Sequence, residues 1–366
     1  MKILQVCSAT EIGGGERHVI DLTRALIERG HELHLAIRPN AKIKSELNSL
    51  PIVWHELPLK NALDIFSAKK LKNIINQYQI EIVHAHVARD YTICGLASKQ
   101  TSAKLFLTRH HFNPIKSNFL YQWTIRQTQG FIAVSSAVKA EIQKAFPKLT
   151  ERITIIPNWI DSKFIATLSK DEARKSLGIT RKFAVGIIGQ ITPLKGQKYF
   201  IEAAQKIARD DVDYLVIGAP QTDQDKKYYQ QLMNDDGQFM AQGNLRFVGA
   251  VSDIATKLAA FDIIVVPSIN EGFSLVVIEA MAAGCALIAS HVGGIIDLIE
   301  NRVTGILTSP ESSAQIAEAL AQLLTNPELR LRLGAEARSI VRGKYSRETV
   351  IDQIENLYRK KTIDRI

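Results

Sequence analysis

Short apolar runs alternate with amphipathic stretches from one end of this chain to the other. In the first half, strands are predicted at Ile3–Ala9, Glu32–Ile37, Ile80–His86, Lys104–His110, Gly130–Ser135 and Arg152–Asn158. Between the first two lies Glu16–Arg29, where Val19, Leu22, Ala25, Leu26 and Arg29 recur at helical spacing and Gly30 marks the stop. The second half repeats the scheme, with strands at Phe183–Gly189, Tyr214–Ala219, Leu245–Ala250, Asp262–Ser268, Ala286–His291 and Gly305–Thr308. Helices are predicted at Gly196–Arg209, Ser274–Ala283 and Ala314–Leu324, and a last one from Ser346 to Lys361 with Val350, Ile354 and Leu357 on one face. Strand–helix alternation implies a parallel sheet covered on both faces, and its repetition implies two of them.

The 366 residues suit two domains of ordinary size. A polar stretch over 161–182 separates the two halves, so the chain divides into residues 1–165, 166–345 and a closing helix over 346–366 that is expected to pack toward the first domain. With 46% apolar and 23% charged residues, this is the composition of a globular enzyme. No apolar run approaches the roughly 18 residues of a membrane span. The start reads as a strand and turn rather than a signal peptide. Cys7, Cys94 and Cys285 are far apart and without metal-ligand spacing, which suits buried thiols in a reducing cytosol. The net charge of +9 is uneven: residues 1–165 carry 22 Lys and Arg against 13 Asp and Glu, whereas 166–366 carry 24 of each. A basic first domain points to an anionic partner there. No RNA- or DNA-binding motif accompanies that charge, so nucleic acid is not expected.

In doubly wound sheets ligands bind beyond the carboxyl ends of the strands, so chemistry is sought just after each run. Gly13-Gly14-Gly15 follows the first strand and opens a helix, a turn that lets a ligand reach the backbone and favours negative charge. Its spacing is not that of a dinucleotide fold. After the strand Asp262–Val266 comes Pro267, then Glu271-Gly272 and Ser274, a suitable N-cap for a helix that carries Glu279 and ends at Gly284. Amides at that helix start suit phosphate oxygens, and the two carboxylates suit sugar and ribose hydroxyls. Lys195, in Gly189-Gln190-Ile191-Thr192-Pro193-Leu194-Lys195-Gly196, is placed to reach a phosphate, and Gly293-Gly294 opens another turn. His84, His86, His110 and His111 lack carboxylate or cysteine ligands in pattern, so no metal site is expected among them. No Asp-x-Asp metal motif is expected near a strand end.

The order and spacing of these motifs resemble those of the retaining nucleotide-sugar glycosyltransferases of family four. The likeness runs through Gly13-Gly14-Gly15-Glu16, His84-Ala85-His86, Thr108-Arg109-His110, Ala133-Val134-Ser135, Ile156-Pro157-Asn158, Lys195-Gly196, Glu271 with Glu279, and Gly293-Gly294. It implies the GT-B fold, an α/β architecture of two Rossmann-like doubly wound parallel-sheet domains facing a central cleft. It implies that Glu279 binds the donor ribose, and that Glu271 binds the transferred sugar. Amides around Gly272, Phe273, Ser274 and Leu275 would hold sugar and diphosphate with Lys195, Gly14 and Gly15, and the base would lie near Phe247, Gly249 and Val251. His110 matches the histidine beside the transferred sugar, with His111 its rival, so the catalytic set is His110, Glu271 and Lys195. His86, Arg109 and His111 are acceptor candidates.

Two departures qualify the likeness. Gln190 stands where the family commonly has an arginine, and an amide cannot neutralise a diphosphate. Either Lys195 takes that task alone, or Arg17 or Arg109 joins it. Asp297 replaces a usual glutamate.

The resemblance therefore implies metal-independent, cofactor-free transfer with retention, from a uridine, guanosine or adenosine diphosphate sugar to a glycan or lipid-linked acceptor, as in lipopolysaccharide or exopolysaccharide assembly. Leu59–Lys72 and Phe112–Arg126 mix bulky apolar residues with lysine and arginine, Lys116 among them, as an interfacial helix on anionic lipid would. The expected location is cytoplasmic, peripheral on the inner face of the membrane. A sugar-nucleotide epimerase of the same fold and an inactive nucleotide-sugar binding subunit are the alternatives.

Overall fold

The computed structural model describes residues 1–115, 119–160, 169–235, 243–251 and 253–360. The chain forms two compact units, one of Met1–Asn158 with Arg347–Ile366 and one of Trp159–Ser346. The first unit ends before residue 165 because Ile160 already pairs with Ser346 in an isolated bridge, and its amide donates to the Tyr345 carbonyl.

The first unit carries β1 (Lys2–Cys7), β2 (Glu32–Ile37), β3 (Ile52–Glu56), β4 (Ile82–Ala85), β5 (Lys104–Arg109), β6 (Gly130–Ala133) and β7 (Ile153–Ile155), in the spatial order β3-β2-β1-β4-β5-β6-β7. Every pairing is parallel. Parallel strands are covered on both faces, and β1 accordingly buries Ile3, Leu4 and Val6 completely. The unpredicted β3 is an edge strand whose side chains stay partly exposed, so it lacks the continuous apolar run that announces its neighbours. The helix Arg347–Arg359 buries Val350, Ile351, Ile354, Leu357 and Tyr358 within this unit. Its Tyr358 ring lies 5.0 Å from Phe106, and its Arg347 pairs with Glu28 at 2.7 Å.

The second unit carries β8 (Phe183–Ile188), β9 (Val212–Ile217), β10 (Leu245–Gly249), β11 (Ile263–Val266), β12 (Ala286–Ser290) and β13 (Ile306–Thr308), ordered β10-β9-β8-β11-β12-β13 and again parallel throughout. Helices Gln197–Ile207 and Ser313–Thr325 pack together over a core that includes Val185, Ile187, Phe200, Tyr214, Ile263 and Leu320. The helix Leu275–Ala283 packs against Pro327–Lys344, which the apolar spacing had not announced. Each sheet reverses its direction of winding once, between β1 and β4 in the first and between β8 and β11 in the second. A crevice opens at such a reversal because successive helices leave on opposite faces.

Candidate active site

In the second unit the loops after β8 and β11 flank the reversal and are tied together. The Ile269 amide donates to the Leu194 carbonyl at 2.9 Å. Gly196 sits at φ +72°, and a Cβ there would come within 2.1 Å of the Pro267 carbonyl oxygen, so only glycine allows this approach. Between the loops, Lys195 Nζ donates to Glu271 Oε2 at 2.6 Å, and Ser268 Oγ donates to the same oxygen at 3.3 Å. The lysine side chain is 32% exposed and the glutamate 12%, so the pair is held by the fold yet open to solvent. Gly293-Gly294 serves this pair from behind. Gly293 has φ +49° and would place a Cβ 1.9 Å from the Glu271 carbonyl oxygen, to which the Gly294 amide donates at 2.9 Å.

The helix Leu275–Ala283 starts beside this ion pair. Ser274 occupies its N-cap, as the sequence suggests, but its hydroxyl makes no capping bond, so the first-turn amides are not capped by it. Phe273 and Ser274 are buried, Gly272 and Leu275 frame them, and Glu279 lies half-buried farther along the helix. Gly284 closes the helix in the left-handed conformation, φ +78°. Phe247 and Gly249 belong to β10, two strands from the reversal, and Val251 follows in the loop. The Phe247 ring meets Tyr229 edge-on at 5.3 Å.

Gln190 is tied down. Its amide donates to Asp225 Oδ2 at 2.8 Å, and its carbonyl accepts from Gln197 Nε2 at 2.9 Å. Asp225 also exposes an error in the sequence reading. Asp223-Gln224-Asp225 is an Asp-x-Asp triplet soon after β9, and Asp211-Val212-Asp213 is a second at its start. All four carboxylates are engaged internally: Asp225 with Gln190 and the Thr222 amide, Asp223 with Lys226, Asp211 with Arg209, and Asp213 with Arg181.

The first unit gathers histidines instead of charges. His86 and His110 are the first residues beyond β4 and β5, and His18 comes from the helix Gly14–Glu28. Ring centroids lie 4.8 Å apart for His18 and His110, and 5.9 Å apart both for His18 and His86 and for His86 and His110. Gly15 makes room for this group, since a Cβ there would already touch the His110 ring at 3.4 Å. Gly14 opens the same helix, and the Glu16 carboxylate accepts from the Gly13 amide at 2.9 Å. His84, within β4, is saturated: Nδ1 shares a hydrogen bond with the Tyr358 hydroxyl at 2.6 Å, and Nε2 with Thr108 Oγ1 at 2.7 Å. His86 and His110 have no hydrogen-bond partner on either ring nitrogen among the described residues.

Burial dominates the protonation of the cluster. It lowers His18 to about 4 and His84 to about 3, and holds His86 and His110 well below 6.5. All four are neutral at pH 7, and a neutral imidazole both donates and accepts, as a sugar hydroxyl does. Asp90, which the sequence reading passed over, lies buried at the same reversal with Oδ2 accepting from the Ser8 amide at 2.8 Å. Burial raises its carboxyl to about 6.

The structure thus brings Lys195, Glu271, Gly272, Phe273, Ser274 and Leu275 to one reversal, and Gly15, His86 and His110 to the other. His111 is exposed and is not part of the ring cluster. Of the alternative cations, Arg109 is buried and donates to the Asn113 carbonyl at 2.7 Å, while Arg17 stands 3.9 Å from Glu46. A separate cavity of about 430 Å³, lined by Arg126, Phe146, Leu149 and Arg152 among others, lies by the segments leading into β6 and β7, not at a carboxyl end.

Comparison with known proteins gives the family. Residues 12–164 match the family described as Glycosyltransferase Family 4, and residues 169–340 match Glycosyl transferases group 1, so the two together span most of the chain. The N-acetyl-alpha-D-glucosaminyl L-malate synthase of Bacillus anthracis is 26% identical, over 95% of this chain and 94% of that one. The UDP-Gal:alpha-D-GlcNAc-diphosphoundecaprenol alpha-1,3-galactosyltransferase of Escherichia coli is 26% identical over 79% of each. Among solved structures, Anabaena HepE in complex with UDP shares the fold with a TM-score of 0.85 at 22% identity, over 97% of this chain and 99% of that one. The chain belongs to the group 1, family 4 glycosyltransferases and is an enzyme of the GT-B fold, built from two Rossmann-like domains.

Proposed function

We propose that this enzyme moves a sugar, with retention and without a metal, from a nucleoside-diphosphate sugar to a glycan or lipid-linked acceptor in cell-surface polysaccharide or lipopolysaccharide assembly. The observation that carries the proposal is the Lys195–Glu271 pair at the reversal of the second sheet. A lysine held by a carboxylate beside helix amides that the Ser274 hydroxyl leaves uncapped is a preformed anion site whose own carboxylate stands in for the ligand. When the donor binds, its diphosphate takes Lys195 and the amides of Phe273, Ser274 and Leu275. Glu271 is then free to accept from hydroxyls of the sugar, and Glu279 from those of the ribose. Phe247, Gly249 and Val251 flank the base.

In the transfer step the bond from the anomeric carbon to the β-phosphate oxygen breaks as the acceptor oxygen bonds to that carbon from the same side. The acceptor proton passes to the departing phosphate oxygen. Lys195 and the helix amides stabilise the charge that grows there, which is electrostatic preorganisation. With Gln190 bound to Asp225, and Arg109 committed to Asn113, Lys195 is the cation assigned to the diphosphate. His110, with Gly14 and Gly15, is assigned to the donor and transferred sugar, and His86 to the acceptor.

The surface of the first unit bears on the acceptor. Leu63, Ile65 and Phe66 are 66%, 72% and 58% exposed, and Phe119 is 86% exposed. Lys70 Nζ lies 4.6 Å from the centre of the Phe66 ring, Lys60 and Lys69 are neighbours in the chain, and the helices Ile65–Tyr78 and Phe119–Gln127 flank Asp90–Ser98. Bulky apolar tips beside lysines suit an anionic bilayer surface and support a location at the inner face of the cytoplasmic membrane. Lys116, part of the same sequence stretch, lies outside the described residues. No helix among the described residues is long and apolar enough to cross a membrane. The Escherichia coli relative, whose name specifies UDP-galactose and a diphosphoundecaprenol-linked sugar, makes this acceptor class and a uridine donor the ones to test first.

The test is product analysis with UDP-sugars and an undecaprenyl-diphosphate-linked sugar, with and without EDTA. The proposal expects acceptor-dependent transfer that keeps the donor's anomeric configuration and tolerates EDTA. Donor conversion without acceptor, or an inverted product, overturns it.

A further inference from the structure

We propose that His18, His86 and His110 form a binding site for a zinc-class transition metal ion, with three imidazole ligands and an open fourth position. One ring nitrogen from each lies within 4.8 Å of the others. Zinc bonds imidazole nitrogen at about 2.0–2.1 Å, so a tetrahedral site needs nitrogens roughly 3.4 Å apart. The rings therefore have to close by at most about 1.4 Å for an ion to be held.

Three features distinguish these rings from an ordinary packed histidine. The first is supply from three separate elements, the helix Gly14–Glu28 and the ends of β4 and β5, which fixes the ligand origins relative to one another. The second is the contrast with His84. Its ring centroid lies 4.1 Å from that of His86, yet both its nitrogens are committed to Tyr358 and Thr108, whereas both nitrogens of His86 and of His110 lack partners among the described residues although His86 is only 5% exposed. A buried polar atom without a partner points to something that completes it. The third is close approach: the His18 and His110 ring centroids lie 4.8 Å apart, and a Cβ on Gly15 would already touch the His110 ring at 3.4 Å, so a glycine lets the helix that carries His18 come up to His110.

The donor set decides the metal. Three imidazoles without a carboxylate suit zinc, nickel, cobalt or copper and reject magnesium, calcium and manganese, which prefer oxygen. Such an ion would occupy His110, which the proposed function assigns to the transferred sugar, so its effect would be inhibition. That consequence rests on the proposed function; the metal site does not.

The experiment is equilibrium dialysis of the untagged, EDTA-treated full chain against zinc chloride, with cobalt chloride titrated in parallel and followed by visible absorption. One zinc per chain is expected, with cobalt bands of a tetrahedral site. Both are lost in His86→Ala and in His18→Gln, two variants on different elements whose folding is checked by circular dichroism. Both persist in His111→Ala. Absence of stoichiometric zinc in the wild type, or zinc retained by both folded variants, overturns the site. UDP affinity and transfer are measured on the same samples. Failure to bind UDP refutes the uridine donor alone, whereas stoichiometric zinc that leaves transfer unaffected removes His110 from the sugar while the metal site stands.

Discussion

The two sheets share one topology and use its reversal point in opposite ways. Beyond β8 and β11 the fold presents a lysine, a glutamate and helix amides without a Ser274 side-chain cap, held by glycines that permit close backbone contact. Beyond β1, β4 and β5 it presents neutral imidazoles packed against one another and a carboxyl pushed up by burial. The winding supplies a crevice; the residues at its lip decide whether that crevice stabilises an anion or exchanges hydrogen bonds with neutral hydroxyls.

Acidification separates the two regions most strongly. His18 and His84 titrate near 4 and 3 in the folded chain against 6.5 when unfolded, so below 6.5 the unfolded chain binds more protons. Stability is therefore complete above that value and falls as pH drops toward 4 and then 3, by an amount on the order of several kcal/mol. Thermal melts at pH 7.5, 5.5 and 4.5, read with protease digestion, should show the unit containing residues 1–158 yielding first. Cleavage beginning in 159–346 instead would break the contrast.

Next in size is Lys195→Ala, which should lower kcat/KM by about 10²–10³-fold, the scale of losing a preorganised donor to a developing anion, while leaving the melting temperature nearly unchanged. Lys195→Arg should restore part of the loss. Gly293→Ala forces a Cβ onto the Glu271 carbonyl oxygen and should cost about 3 kcal/mol, together with most of the transfer activity. A variant with wild-type stability and kinetics would show that Glu271 needs no support from that turn. The smallest effect is expected from Tyr358→Phe, which leaves His84 Nδ1 without its hydroxyl partner. A loss of about 1 kcal/mol should appear in denaturant melts, with transfer kinetics unchanged.

Much of this was legible in the sequence, and the misses have physical causes. The inner strands β8, β9, β11 and β12 of the second sheet announce themselves because buried parallel strands are rich in apolar residues, and its edge strands β10 and β13 keep short apolar stretches; β3, half-exposed at the edge of the first sheet, was missed. Lys195 and Glu271 stood out because each follows such a run directly. The grouping of the histidines was not legible because the chain shows His84 beside His86 and His110 beside His111, whereas strand pairing and helix packing bring His18, His86 and His110 together and engage His84 elsewhere. Asp90 looks like an ordinary acid at a helix start until the sheet buries it. Gln190 shows the same limit, since its Asp225 partner is fixed only once the loops after β8 and β9 meet.

The most direct test of the central claim, that the reversal of the second sheet is a nucleoside-diphosphate site organised by Lys195, is calorimetric titration of UDP, GDP and ADP into the wild type and Lys195→Ala. The account predicts saturable binding of one of them to the wild type, weakening with added salt and reduced at least about tenfold in the variant. Equal affinity in the two proteins, or no binding of any diphosphate to the wild type, would contradict it.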